Sequence, residues 1–113
     1  MTNNALARPQ KIEEYEKNTL VLKLERHQKD LLELRKKLNS YVCEPKTSLL
    51  FERMQTLKFG LEQLRVDNAA IIKNMKYTKK TAVDAMEDIK KQFLAFYTMR
   101  KGVEDYIQGV RNC

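Results

Sequence analysis

Few residue types in this chain could do covalent or metal chemistry, and their spacing argues against it. His27 is the sole histidine. A bundle metal site of the Glu-x-x-His kind needs an acid three residues before it, where Leu24 stands. Cys43 and Cys113 form no Cys-x-x-Cys pair and have no histidine close in sequence, so neither a zinc site nor an activated thiol is predicted. Gly60, Gly102 and Gly109 are too scattered for a phosphate-cradling loop or a dinucleotide fingerprint, which needs several glycines in one strand-to-helix turn. The expectation is a protein that is not an enzyme, with no cofactor, no metal and no small-molecule substrate.

Two polar residues and one basic cluster remain to be placed. His27 and Asn68 each interrupt an otherwise apolar heptad row. A polar residue in such a seam gives up stability and fixes register or oligomeric state, which is the role expected of both. For His27 a pH-sensitive role is the alternative, because drawing it into a seam disfavours its charged form. Lys73, Lys76, Lys79 and Lys80 form the one stretch without balancing acids, since none occurs between Asp67 and Asp84. On a continuous helix Lys73, Lys76 and Lys80 share a face, with Lys79 adjacent, and could meet phosphate, anionic lipid or an acidic protein. The competing reading is a solvated helix end that complements the helix dipole.

What must position these residues is set by composition and periodicity. The 113 residues are 42% apolar and 33% charged, with a formal charge of +7. That length allows one domain. The positive excess is spread evenly: each of the segments 11–43, 44–77 and 78–113 carries a net +2, with acids and bases interleaved. Such interleaving is the signature of solvated helix faces and not of a basic tail for nucleic acid. The longest uninterrupted apolar stretch, Phe93 to Tyr97, is far short of the roughly 20 residues that span a bilayer. No secretory signal or lipidation pattern is read at either end, and two distant cysteines suit a reducing compartment, so a cytoplasmic address is expected, with nuclear as the alternative.

Heptad spacing predicts three helices after a polar tail over residues 1–9. Over about 10–42, Leu24, Leu31 and Leu38 form one row and Leu20, Leu34 and Tyr41 the other, with His27 in the remaining slot. Pro45 breaks the pattern, and Thr47 or Ser48 can cap a second helix over about 47–77. There Leu50, Leu57, Leu64 and Ile71 pair with Met54, Leu61, Asn68 and Met75. A third run, about 81–111, carries Ala82, Ile89, Phe96, Val103 and Val110, flanked by Met86, Phe93, Ile107 and by Ala85, Met99, Tyr106. That stripe is wide enough for a bundle core.

The join at 77–81 leaves two architectures open. Thr81-Ala82-Val83-Asp84 reads as a capping box, which would start a separate helix. The row from Met54 through Met75 and Ala82 to Val110 nevertheless keeps period seven straight through the junction. The expected fold is therefore all-α without strands, as an antiparallel three-helix bundle or a long helical hairpin of coiled-coil type whose second helix would run roughly 100 Å. In outline the layout resembles spectrin-type repeats, the N-terminal bundles of syntaxins and small coiled-coil subunits of cytosolic assemblies. The likeness is one of architecture, lacks the first-helix Trp of spectrin repeats, and carries no functional residue across.

Apolar residues on the side away from the seams decide what the helices do. Tyr15 and Leu22 in the first helix, and Phe59 and Val66 in the second, lie seven apart and about half a turn from the seam rows. They must meet either the third helix or another chain. Leu24, Leu31, Leu34, Leu38, Leu57, Leu61, Leu64, Ile71, Ile89, Phe93 and Phe96 are the predicted core. The functional expectation is a helical-bundle protein-protein interaction module, a subunit or adaptor of a trafficking, cytoskeletal or spindle assembly, with other helical chains as homo- or hetero-oligomeric partners. The alternative is a basic helical module that binds nucleic acid or anionic membrane through Lys73, Lys76, Lys79 and Lys80.

Overall fold

A computed structural model describes residues 10–40, 44–79 and 81–111, with side chains from residue 13 onward. It contains three helices: α1 (Gln10–Leu38), α2 (Ser48–Tyr77) and α3 (Ala82–Arg111). Each packs against the other two, and no strand occurs among the described residues. The protein is an all-α three-helix bundle. Its radius of gyration, 18.1 Å, exceeds the roughly 13 Å expected of an equally long globular chain, so the bundle is elongated.

Local chemistry sets the helix ends. α1 stops at Leu38, short of the position 42 that periodicity suggests. Asn39 and Ser40 form a turn in which the Ser40 amide and hydroxyl both donate to the Lys37 carbonyl, satisfying an acceptor the helix leaves open. Tyr41 and Cys43 lie outside the described residues, as do Cys113 and the tail over 1–9. Thr47 caps α2, its hydroxyl accepting from the Leu50 amide at 3.1 Å while its own backbone is extended.

The junction between α2 and α3 is broken, which excludes the long hairpin. Thr81 Oγ1 accepts from the Asp84 amide at 3.1 Å, and Asp84 Oδ2 accepts from the Thr81 amide at 3.3 Å. This is a reciprocal capping box with Asp in place of Glu. Helix α1 secures the turn from outside. The Glu13 carboxylate accepts from the Ala82 amide, and Lys17 Nζ donates to the Thr78 carbonyl at 3.3 Å. Open donors at the start of α3 and an open carbonyl past the end of α2 thus find partners that a continuous helix would not need.

These contacts also fix direction. Asn68 meets Leu24 and Arg35 meets Glu62, so α1 and α2 run antiparallel. Glu13 meets Ala82 and His27 meets Phe96, so α1 and α3 run parallel. Helices α2 and α3 approach closely at Gly60, where an added Cβ would come within 2.9 Å of Met99 Cε. The roughly 1 kcal/mol that a mid-helix glycine costs relative to Ala is spent on that approach.

The heptad rows form the core as their spacing predicts, with Leu20, Leu50, Ile71, Met86, Phe93, Met99 and Ile107 only partly buried and Tyr41 outside the described residues. Val21, outside the predicted rows, is also buried. The apolar core divides in two. Leu31, Leu34, Leu38, Met54, Leu57, Leu61, Leu64, Phe96, Val103, Tyr106 and Val110 fill one end, and Val21, Leu24, Met75, Ala85 and Ile89 the other. His27 and Asn68, the two buried polar residues among the described residues, sit between these clusters in one layer.

Candidate interaction surfaces

The polar layer is built unequally. Asn68, 2% exposed, donates through Nδ2 to the Leu24 carbonyl at 3.0 Å and to Gln28 Oε1 at 3.1 Å. Gln28 Nε2 returns a bond to the Arg65 carbonyl at 3.2 Å. A bond to backbone on each helix locks α1 against α2 at one register, because a slip leaves a buried amide unsatisfied. His27, 5% exposed, instead makes ring contacts. It stacks on Phe96 with centroids 4.0 Å apart and an interplanar angle of 9°, and meets Phe93 and Tyr97 edge-on at 5.1 and 5.9 Å. Its Nδ1 is buried without a hydrogen-bond partner. Burial is the main cause that holds the imidazole pKa below its ordinary value, reinforced by Lys23, Arg100 and Arg26 and opposed by Asp30.

Two cations border this aromatic cluster. Lys23 Nζ lies 4.6 Å from the Phe93 ring centroid, and the Arg100 guanidinium lies 5.2 Å from Tyr97 and 5.7 Å from Phe96. The resulting seam of Lys23, His27, Phe93, Tyr97 and Arg100 spans α1 and α3, and sequence reasoning missed it. A signal was present in Phe93, Phe96, Tyr97 and Arg100, which fall within two turns at three- and four-residue spacing. Spacing alone does not show that Lys23 and His27 arrive opposite them.

The outward apolar residues do not close the bundle. Tyr15 and Leu22 on α1, and Phe59 and Val66 on α2, are all exposed, and they lie on the outer faces of two different helices. Tyr15 lines a cleft of about 180 Å³ between α1 and α3 together with Glu16, Thr19, Leu20 and Met86. Val83 and Leu94 on α3 and Tyr77 at the end of α2 are further exposed apolar side chains.

The four predicted lysines are distributed differently. Lys73 is exposed on α2. Lys76 donates to Glu25 of α1 at 2.7 Å, and that carboxylate holds the ammonium pKa above its ordinary value. Lys79 follows the end of α2 and shares no helix face with them, and Lys80 lies outside the described residues. A second charged cluster joins α1 to α2: Arg65 Nη2 donates to Glu62 Oε2 at 2.6 Å, and Arg35 reaches Glu62 Oε1 at 3.2 Å. The Arg65 bond holds the Glu62 carboxyl below the usual range.

Among the described residues no group of three or more His, Cys, Asp or Glu side chains is placed to hold a metal ion, and no helix is long and apolar enough to cross a membrane. Fold and surface together define an elongated three-helix bundle with apolar side chains left on its outer faces. Comparison with protein-family models, with curated proteins and with solved structures finds no match.

Proposed function

We propose that this chain is a non-enzymatic interaction module, a subunit or adaptor that packs its outer helix faces against helices of other proteins. One observation carries the reading: with the heptad core filled, Tyr15, Leu22, Phe59 and Val66 remain exposed at heptad spacing. Single exposed apolar residues are ordinary, whereas repeated ones on one helix face match the way a helix seats a partner helix. The lysine cluster supports a phosphate-binding surface less well, because Lys76 is already paired with Glu25 and Lys79 stands off the helix.

The test is whether the chain resides in an assembly through these rows. In extracts of its own cells, the tagged chain is expected to sediment well above its 13.4 kDa mass. The double variant Phe59→Ser, Val66→Ser is expected to release it, while the purified protein keeps its helicity and a cooperative thermal transition. A chain that sediments at its own mass, or whose assembly ignores all four positions, overturns the reading.

A further inference from the structure

The groove between α1 and α3 has a composition that the outer face of α2 lacks. Val83, Lys90, Leu94, Tyr97 and Lys101 recur at seven-, four- and three-residue spacing and so share one face of α3. Tyr97 touches His27 of α1, which places that face along the groove. Leu94 is 70% exposed, and Val83 and Tyr97 are exposed as well. Near the start of α3, the cleft lined by Tyr15, Glu16, Thr19, Leu20 and Met86 opens between the same two helices. From Val83 to Tyr97 the apolar line extends about 20 Å, the length of a helix of roughly four turns.

Charge selects the occupant. Lys23 and Arg26 on α1 and Lys90 and Arg100 on α3 make no ion pair among the described residues. Lys23 and Arg100 lie over aromatic rings, so each holds a fixed position beside the groove. Glu16 lines the cleft at one end, and Asp30 of α1 and Asp84, Glu87 and Asp88 of α3 lie on the same stretch of sequence, but from Ile89 to Lys101 α3 carries no acid, which leaves the groove basic around Lys90 and Arg100. A second copy of the chain carries the same net +7, so self-association on a basic face is disfavoured by charge.

We infer that the α1/α3 groove docks an acidic amphipathic helix of a partner protein, making a fourth helix of the bundle. Its apolar side chains pack on Val83, Leu94 and Tyr97, and its carboxylates pair with Lys23, Lys90 and Arg100. The inference rests on the interaction-module reading and adds to it a second face, apart from the Phe59/Val66 row, and the chemistry of the partner that face takes.

The probe is a hydrocarbon-stapled four-turn peptide with leucines along one face and glutamates beside them, alongside the same peptide with lysines for the glutamates. The purified protein is expected to bind the acidic peptide at least about tenfold more tightly than the basic one, with affinity falling as salt rises. Amide shifts should map to Val83, Leu94 and Tyr97. Leu94→Ser with Tyr97→Ala, and separately Lys23→Gln with Arg100→Gln, are each expected to weaken binding at least about tenfold, while Phe59→Ala leaves it unchanged. Because Leu94 is exposed, Leu94→Ser alone keeps the test valid if the double variant unfolds. Equal binding of both peptides, no binding, shifts confined to the Phe59 face, self-association through Leu94, or preference for phosphatidylserine vesicles over the acidic peptide each overturns the inference. If the peptide fails while the chain still sediments in an assembly that Phe59 and Val66 control, this inference falls and the broader reading stands.

Discussion

Leu61 and Phe59 stand two positions apart on α2, one 2% exposed and the other 70% exposed, and their truncation to Ala should separate core from surface. Leu61 belongs to the larger core cluster, so Leu61→Ala removes buried methyls and leaves a cavity, at a cost of about 2–5 kcal/mol. At a urea dependence of about 2 kcal/mol per molar, the middle of the usual range, the midpoint falls by about 1–2.5 M. For Phe59 only about a third of the ring is covered, or about 60 Å² of a side chain that buries about 200 Å² in full. At about 25 cal/mol per Å² that is worth at most about 1.5 kcal/mol, and the better helix propensity of Ala returns about 0.5. The net cost of Phe59→Ala is therefore about 1 kcal/mol or less. Urea unfolding followed by far-ultraviolet circular dichroism, at two protein concentrations tenfold apart, measures both. If Phe59→Ala costs as much as Leu61→Ala at both concentrations, α2 does not face the way described. If its cost grows with protein concentration, Phe59 is covered by a second copy and the row is a self-association surface.

Two further substitutions test the polar layer. Since the His27 pKa is lowered by folding, the unfolded chain binds the proton more tightly, and stability is full above about pH 6.5 and declines as pH falls toward the folded value, by at most about 1.4 kcal/mol per pH unit. His27→Leu is expected to flatten the Tm profile between about pH 7 and pH 5, and a variant whose profile parallels the parent's contradicts the burial argument. Replacing Asn68 by Leu removes the bonds to Leu24 and Gln28, so thermal stability should hold or rise while the single register is lost, seen as doubled amide signals or self-association in sedimentation. A sharp, monomeric Asn68→Leu protein would show that apolar packing alone sets the register.

Much of the bundle was legible because a helix core is a one-dimensional signal. Leu24, Leu31, Leu38 and Leu57, Leu61, Leu64 recur every third, fourth and seventh position, and that period points them one way whatever lies opposite. The break at 77–81 was legible only as competing signs, a capping box set against an unbroken period-seven row. Contacts distant in sequence secure it, Glu13 with Ala82 and Lys17 with Thr78, separated by 69 and 61 residues. The cation-aromatic seam was hidden for the same reason. Taken singly, Phe93 reads as core, Lys23 and Arg100 as solvated charge, and His27 as a seam residue; only the parallel docking of α1 on α3 makes them one surface.

That dependence ties the polar layer to the surface. Leucines in a heptad seam are nearly interchangeable, so sliding α1 by seven residues would move it about 10 Å and still bury apolar side chains. The slide would carry Lys23 away from Phe93 and His27 away from Phe96 and Tyr97, erasing the groove without emptying the core. Asn68 opposes it, because its two bonds to α1 exist at one register only and a buried amide without them costs about 1–3 kcal/mol. On this argument the one polar residue that weakens the α2 seam is also what keeps the outer face of α1 and α3 in a single form. A register-free variant should accordingly lose the acidic-helix site before it loses its fold.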